Sequence, residues 1–326
     1  MTSNADLGRR GLMAGAVAWP LVVRAQQPAT LTIGFLSGDS LDVDRDRAFL
    51  DGLNVTGYAS GKNITVEYRW AAGNMDLLPA MAADLAGRQV RVIATRGNAA
   101  TLAAKAATAA IPVVFTIGSD PVGLGIVSNL NRPGGNLTGV TLLNEGLTPK
   151  RLELLHALVP GSAAIVLLVN PSNPNAEPQI SELRRVAQPL GRQIEVMHAR
   201  TERDCEVAFA AMEQRKPGGL VIGADSVFNS MARRLGELSL RHALPAVFQF
   251  RDFVEAGGLM SYSGSTAEAH RWVGIYCGRI LNGEKPGDLP IHQPAKIELI
   301  VNLRTARALG VTIPLMLHGR ADEMIE

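Results

Sequence analysis

Residues 90–120 read VRVIATRGNAATLAAKAATAAIPVVFTIGSD, and this stretch decides the fold class. Val90 to Thr95 is a short apolar run closed by Arg96-Gly97-Asn98, Ala99 to Ala109 is an Ala-rich run of helical length, and Val113 to Ile117 (VVFTI) is apolar again. Strands that are apolar on both sides must be covered on both faces. A strand–helix–strand unit in a parallel sheet meets that demand.

The same alternation extends outward. Upstream, Leu31 to Leu36 (LTIGFL) and Ile64 to Arg69 (ITVEYR) read as strands, and Arg45 to Val55 and Met75 to Gly87 as helices. In the latter, Leu77, Leu78, Met81, Ala82 and Leu85 fall on one face. Downstream, Leu124 to Asn129 reads as a short helix and Leu137 to Leu142 as a fifth strand or an extended crossover. The pattern then restarts, with helices at Lys150 to Leu158, Ala176 to Leu190 and Asp204 to Glu213. Strands follow at Ala164 to Val169, Gln193 to His198, Gly219 to Ile222, Ala246 to Phe250 and Leu259 to Tyr262. Ala267 to Leu281 is a helix with Trp272, Val273, Tyr276, Cys277, Ile280 and Leu281 on its buried side. A tail of strand Ile297 to Asn302 and helix Arg304 to Leu309 should return to one or both halves. Two runs of about five strands in 326 residues predict an α/β protein of two doubly wound, Rossmann-like lobes with a ligand cleft between them.

Composition narrows the function. The formal charge of +2 is carried by residues 1–25, where Arg9, Arg10 and Arg24 stand against Asp6; without them the balance is 2 − 2 = 0. A neutral chain offers no electrostatic footprint for nucleic acid. Those 25 residues combine a charged start, an apolar stretch from Gly11 to Val23 and the small-residue pattern Val23-Arg24-Ala25, the order of an export signal cleaved near Ala25. The paired arginines fit twin-arginine export and a general secretory signal alike. Cys205 and Cys277 have no metal-site spacing and are expected as unpaired thiols. The expected organisation is a signal over 1–25, a first lobe of 30–145 plus about 264–290, and a second of 146–263 plus about 291–326.

In open parallel sheets the ligand sits beyond the carboxyl ends of the strands, so the residues just after each strand are the candidates. They are Ser37 and Asp39, Arg96, Gly97 and Asn98, and Ser119 and Asp120 in the first half, then Asn173 and Asn175, Asp225, Gln249 and Tyr262 in the second. Ser, Asp and Asn at such ends can equally cap the helices that begin there. Phe228, Phe248, Phe250 and Tyr262 are the available aromatic walls, with Phe248 assigned to the core by strand alternation. A zwitterion would suit Arg96 for its carboxylate and Asp120 or Asp225 for its ammonium. The six histidines have no ligand-like spacing, and there is no P-loop, H-E-x-x-H or nucleophile elbow. Neither cofactor nor metal is expected, and a binding module is favoured over an enzyme.

The segments IGFLSGDS, ITVEYRWAAGNMDLLPAMAADL, IPVVFTIGSDPVGLGIVSNLNRPGGNLTGVT, LVNPSNPNAE, VIGADSVFNS, FRDFVEAGGLMSYSGS and GRILNGEKPGDLPIHQPAKIELIVNLRTARALG resemble, in order, the ABC-transporter substrate-binding family related to tryptophan- and tyrosine-uptake proteins. The resemblance spans essentially the whole chain after the signal. It implies the class I periplasmic-binding fold, a small-molecule solute held in the cleft by hinge closure, and an ABC permease with its ATPase as partners. A periplasmic location and a monomer complete that expectation. A ligand-sensing receptor subunit and a periplasmic enzyme are the alternatives. One departure is Arg96-Gly97-Asn98, where the family's loop usually carries small residues; Arg96 either serves a ligand carboxylate or points outward.

Overall fold

The computed structural model describes residues 30–161, 164–173 and 175–326, and in it the strand–helix alternation builds two separate sheets. The first contains β1 (Leu31–Ser37), β2 (Ile64–Trp70), β3 (Val92–Arg96), β4 (Val113–Ile117) and β5 (Leu137–Thr141), all parallel, in the order β2-β1-β3-β4-β5. Helices α1 (Val43–Val55), α2 (Leu78–Gly87) and α3 (Asn98–Ala107) connect them. On β3 the alternation is plain. Val92 and Ala94 join the core that holds Phe49 and Leu53 of α1, whereas Ile93 joins the opposite core, with Leu85 of α2 and Ala104 of α3.

The second sheet comes after α4 (Thr148–Leu158) and alternates β6 (Ile165–Val169), α5 (Ala176–Ala187), β7 (Ile194–His198), α6 (Glu202–Arg215), β8 (Gly219–Ile222), the helices α7 (Ser226–Ser230) and α8 (Ala232–Arg241), β9 (Ala246–Phe248), α9 (Arg251–Glu255) and β10 (Met260–Gly264). Its order, β7-β6-β8-β9-β10, repeats the winding of the first sheet. The chain then makes α10 (Thr266–Leu281), β11 (Ile297–Asn302), α11 (Leu303–Ala308), α12 (Leu315–His318) and β12 (Glu323–Ile325). Helix α10 packs against the first sheet, where Val273, Tyr276 and Cys277 are buried, while β11 and β12 extend the second.

The chain therefore passes between the sheets three times: after β5, after β10 and before β11. These passages are bonded to one another. Ser265 N donates to Lys296 O at 2.9 Å and Thr141 N to His292 O at 3.0 Å. Arg151, fully buried on α4, donates to Tyr262 O at 2.9 Å and Asn144 O at 3.0 Å, tying the first passage to the end of β10. Burial without a facing carboxylate lowers its pKa to about 9.

Three expectations are corrected. Residues 124–129 form turns and no helix: Asp120 Oδ1 accepts from Val122 N, and Gly125 takes a positive φ of 64°, so the chain folds back before a second turn of helix can form. The second sheet has seven strands, not about five, because the tail supplies two. It is also mixed, since β11 runs antiparallel to β10. Cys205 and Cys277 are unpaired, as expected, and buried in different cores. The export signal expected over 1–25 lies outside the described residues. Among these, no helix is long and apolar enough to cross a membrane.

Candidate functional site

Adjacency of β1, β3 and β4 brings three carboxyl ends together, and a cavity of about 210 Å³ opens there against the second lobe. That is below the roughly 300–1,000 Å³ of sites for drug-sized ligands, the scale of one small solute. The first lobe lines it with Gly38, Asp39, Arg96 to Ala100, Thr116 to Gly118 and His270, among others. The second contributes Val227, Asn229 and Ser230 of α7, with Phe250 and Asp252 after β9.

Arg96 is the most constrained of these residues. At 4% exposure it is inside the protein, which settles against the outward orientation left open by the sequence. Its Nε donates to Ser37 Oγ at 3.1 Å and its Nη2 to Ser40 O at 2.7 Å, Asp39 Oδ2 is 3.4 Å away, and the guanidinium lies 5.1 Å from the centre of the Trp70 ring. Four contacts fix the plane of the group, yet Nη1 is buried with no partner among the described residues. Gly97 comes next with φ 91° and ψ 157°, a conformation natural only to glycine, and α3 starts immediately with no side-chain cap. The first-turn N–H groups and the positive end of the helix dipole are thus presented where the cavity is lined by Gly97, Asn98, Ala99 and Ala100.

Three further buried polar atoms on residues that line the cavity have no partner among the described residues: Asn98 Oδ1, Thr116 Oγ1 and His270 Nε2. Asn98 is held by its other end, Nδ2 donating to Ser119 Oγ at 3.0 Å. A buried polar group left unpaired costs about 1–3 kcal/mol, so a cluster of four around one void marks a place built to be filled by polar groups. Burial pushes the Asp39 carboxyl above its ordinary pKa, against the opposing pull of Arg96 and Arg45.

The lobes meet across the site. Arg45 of α1 reaches Asp252 at 2.5 Å, and Phe250 packs against hydrophobic cores of both lobes. A Cβ built on Gly118 would lie 3.6 Å from both Asn229 Nδ2 and Phe250 Cζ, so this position brings the first lobe close to the second. Gln249 is buried behind the wall, donating from Nε2 to Asn229 Oδ1.

Of the residues expected from sequence, Asp39, Arg96, Gly97 and Asn98 line the cavity, while Ser37, Ser119 and Gln249 support residues that do. The others lie elsewhere. Asp120 closes its own turn on Val122 N. Asp225 caps α7, accepting from Val227 N at 2.8 Å and from Asn170 Nδ2 at 3.3 Å. Asn173 donates to Ala224 O and accepts from Asn175 N, which orders the loop before α5. Phe228 has 0% exposure in the second lobe's core and is no aromatic wall; Phe250 is. Tyr262 packs on the second lobe's core, and its carbonyl serves Arg151. The zwitterion scheme of the sequence therefore loses both its acids, and among the described residues Asp39 and Asp252 are the carboxylates that line the cavity. Arg45 and His270 went unread because they sit on helices, not at strand ends. A histidine among the apolar residues Ala269, Val273 and Cys277 of α10 was the available signal for the second.

The sequence pattern of the family described as ABC transporter substrate binding protein matches residues 31–325. A tyrosine-binding protein of Clostridioides difficile (strain R20291) is 24% identical over 265 residues, 81% of this chain and 76% of the relative. Among solved structures, an ABC domain from Streptococcus pneumoniae in complex with L-Trp superposes with a TM-score of 0.79 at 24% identity, covering 91% of this chain and all of that one. A conserved domain protein from Vibrio cholerae superposes with a TM-score of 0.78 at 27% identity, covering 90% and 99%.

Proposed function

This chain belongs to the ABC transporter substrate-binding protein family, and we propose that its solute is an amino acid or closely related small carboxylate, taken up by closure of the two lobes. One observation carries the reading: the buried Arg96 guanidinium has a free N–H beside the uncapped start of α3, in a cavity that both lobes line. A carboxylate placed there accepts a charge-assisted bond from Nη1 together with first-turn N–H groups. Asp39 on the same wall supplies the opposite charge for an ammonium. Phe250, Met75, Ile117 and Leu142 give the rest of the solute an apolar surface. The names of the relatives, one binding tyrosine and one crystallised with L-Trp, support an aromatic side chain.

In this reading the first lobe is 30–145 plus about 264–290 and the second 146–263 plus about 291–326, with the three bonded passages as hinge. The protein works outside the cytoplasm as a monomer after loss of a signal near Ala25. It hands the solute unchanged to an ABC permease driven by its ATPase. A thermal-shift panel of the protein amino acids, aromatic acids, small carboxylates and uncharged sugars tests the proposal. A ligand at a hundredfold its dissociation constant adds about 2.7 kcal/mol to stability, so a true solute raises the melting temperature clearly. A panel in which only uncharged sugars produce a shift would overturn it.

A further inference from the structure

His270 lies on the second turn of α10, 3% exposed, and lines the cavity. Its Nδ1 is 2.7 Å from the carbonyl oxygen of Thr266. A carbonyl can only accept, so Nδ1 carries a proton and the neutral ring presents a lone pair at Nε2. Burial, reinforced by the Arg96 and Arg45 guanidiniums, lowers the ring's pKa to about 3, so it remains neutral throughout the working range. Nε2 is buried and has no partner among the described residues. His270 thus brings to the cavity lining an acceptor that an N–H or O–H of the occupant can satisfy.

We propose that His270 is a specificity-determining residue that reads a hydrogen-bond donor on the carbon next to the solute's carboxylate, admitting 2-amino and 2-hydroxy acids and rejecting 2-oxo acids. The placement of that donor is set by Arg96, which takes the carboxylate, lines the same cavity and is near enough to act on the His270 ring electrostatically. The assignment therefore rests on the amino-acid or carboxylate reading of the site. A 2-oxo acid has the carboxylate but offers two lone pairs to a third, leaving Nε2 unpaired and repelled. A site built around a bond to an O–H or N–H discriminates strongly against analogues lacking it, because its own buried group is then stranded.

The test is calorimetric titration with L-tyrosine, its 2-hydroxy analogue 4-hydroxyphenyllactate and its 2-oxo analogue 4-hydroxyphenylpyruvate. The last two carry equal charge and differ in the donor. The expected result is binding of the first two, with the oxo acid weaker than the hydroxy acid by about tenfold or more. In His270→Phe the hydroxy and oxo acids should converge to within about threefold, while His270→Gln, which keeps an acceptor, preserves the preference. Equal affinities for the hydroxy and oxo acids in the unaltered protein overturn the assignment and leave the receptor reading standing. That comparison needs no variant to fold. An undiminished preference in a folded His270→Phe overturns it as well. Failure of all three acids to bind sinks the aromatic amino-acid reading, and the assignment with it.

Discussion

Arg96→Ala is expected to weaken solute binding by about 2–5 kcal/mol, the range for removing one partner of a desolvated charge pair. At about 1.4 kcal/mol per tenfold, the dissociation constant rises by a factor between roughly thirty and several thousand. The cost is large because the substituted protein leaves the solute's carboxylate facing a void, with the start of α3 as its remaining partner. Arg96→Lys should recover part of the loss, since it restores the charge but not the planar fork that Ser37, Ser40 and Trp70 orient. Asp225→Ala provides the contrast. It removes the cap of α7 and should lower stability by about 1 kcal/mol while affinity holds, because α7 is still anchored by Phe228 in the core and by the Gln249–Asn229 bond. Calorimetry and thermal melts on both variants separate the two outcomes. Intact affinity in a folded Arg96→Ala would remove the anion from this part of the cavity.

Gly52→Ala and Gly274→Ala should each destabilise the protein by about 3 kcal/mol or more, the upper end of overpacking. Helices α1 and α10 touch backbone to backbone. A Cβ on Gly52 would stand 1.9 Å from Arg271 O, and one on Gly274 2.1 Å from Phe49 O. Neither obstacle is the end of a flexible side chain, so relief requires the helices to separate and to uncover Phe49, Leu53, Val273 and Cys277. Separation would also shift α10, which carries His270 into the cavity. For a domain of this size the melting temperature falls about 2–4 °C per kcal/mol, so a drop near 6–12 °C is expected from differential scanning calorimetry. A change under about 2 °C would show that the two helices can part without uncovering those side chains. Glycine in the middle of a helix costs about 1 kcal/mol relative to alanine, and here the close approach outweighs that cost.

The winding was legible because strands such as VVFTI and AIVLLV are too apolar to face water on either side, and their spacing left room only for covering helices. What escaped was set by contacts distant in sequence. The tail strands β11 and β12 look like any others locally; their places at the edge of the second sheet come from pairing with β10 and with each other. The turn at 124–129 carries a helical apolar pattern, but the Asp120 side chain offers the backbone a local bond that ends it. At the site, the strand-end rule found Arg96 and its neighbours since it depends on the sheet alone. The rule could not choose among ends. The second lobe meets the cavity through the segments after β8 and β9, leaving the Asn173 loop after β6 outside. Phe228 and Phe250 are equally apolar in sequence. The direction of α7 turns Phe228 into the core, while Phe250, between the end of β9 and the start of α9, faces the cavity between the lobes.

Closure around the solute is the central claim, and small-angle scattering with and without a saturating ligand from the panel tests it most directly. Arg45 and Asp252 pair across the cleft, and Phe250 contacts both cores, so the lobes here are close together. The ligand-free population in solution should be more open, and its radius of gyration should fall on saturation to that of this arrangement. An unchanged radius, with one-to-one binding established by calorimetry on the same sample, would contradict hinge closure.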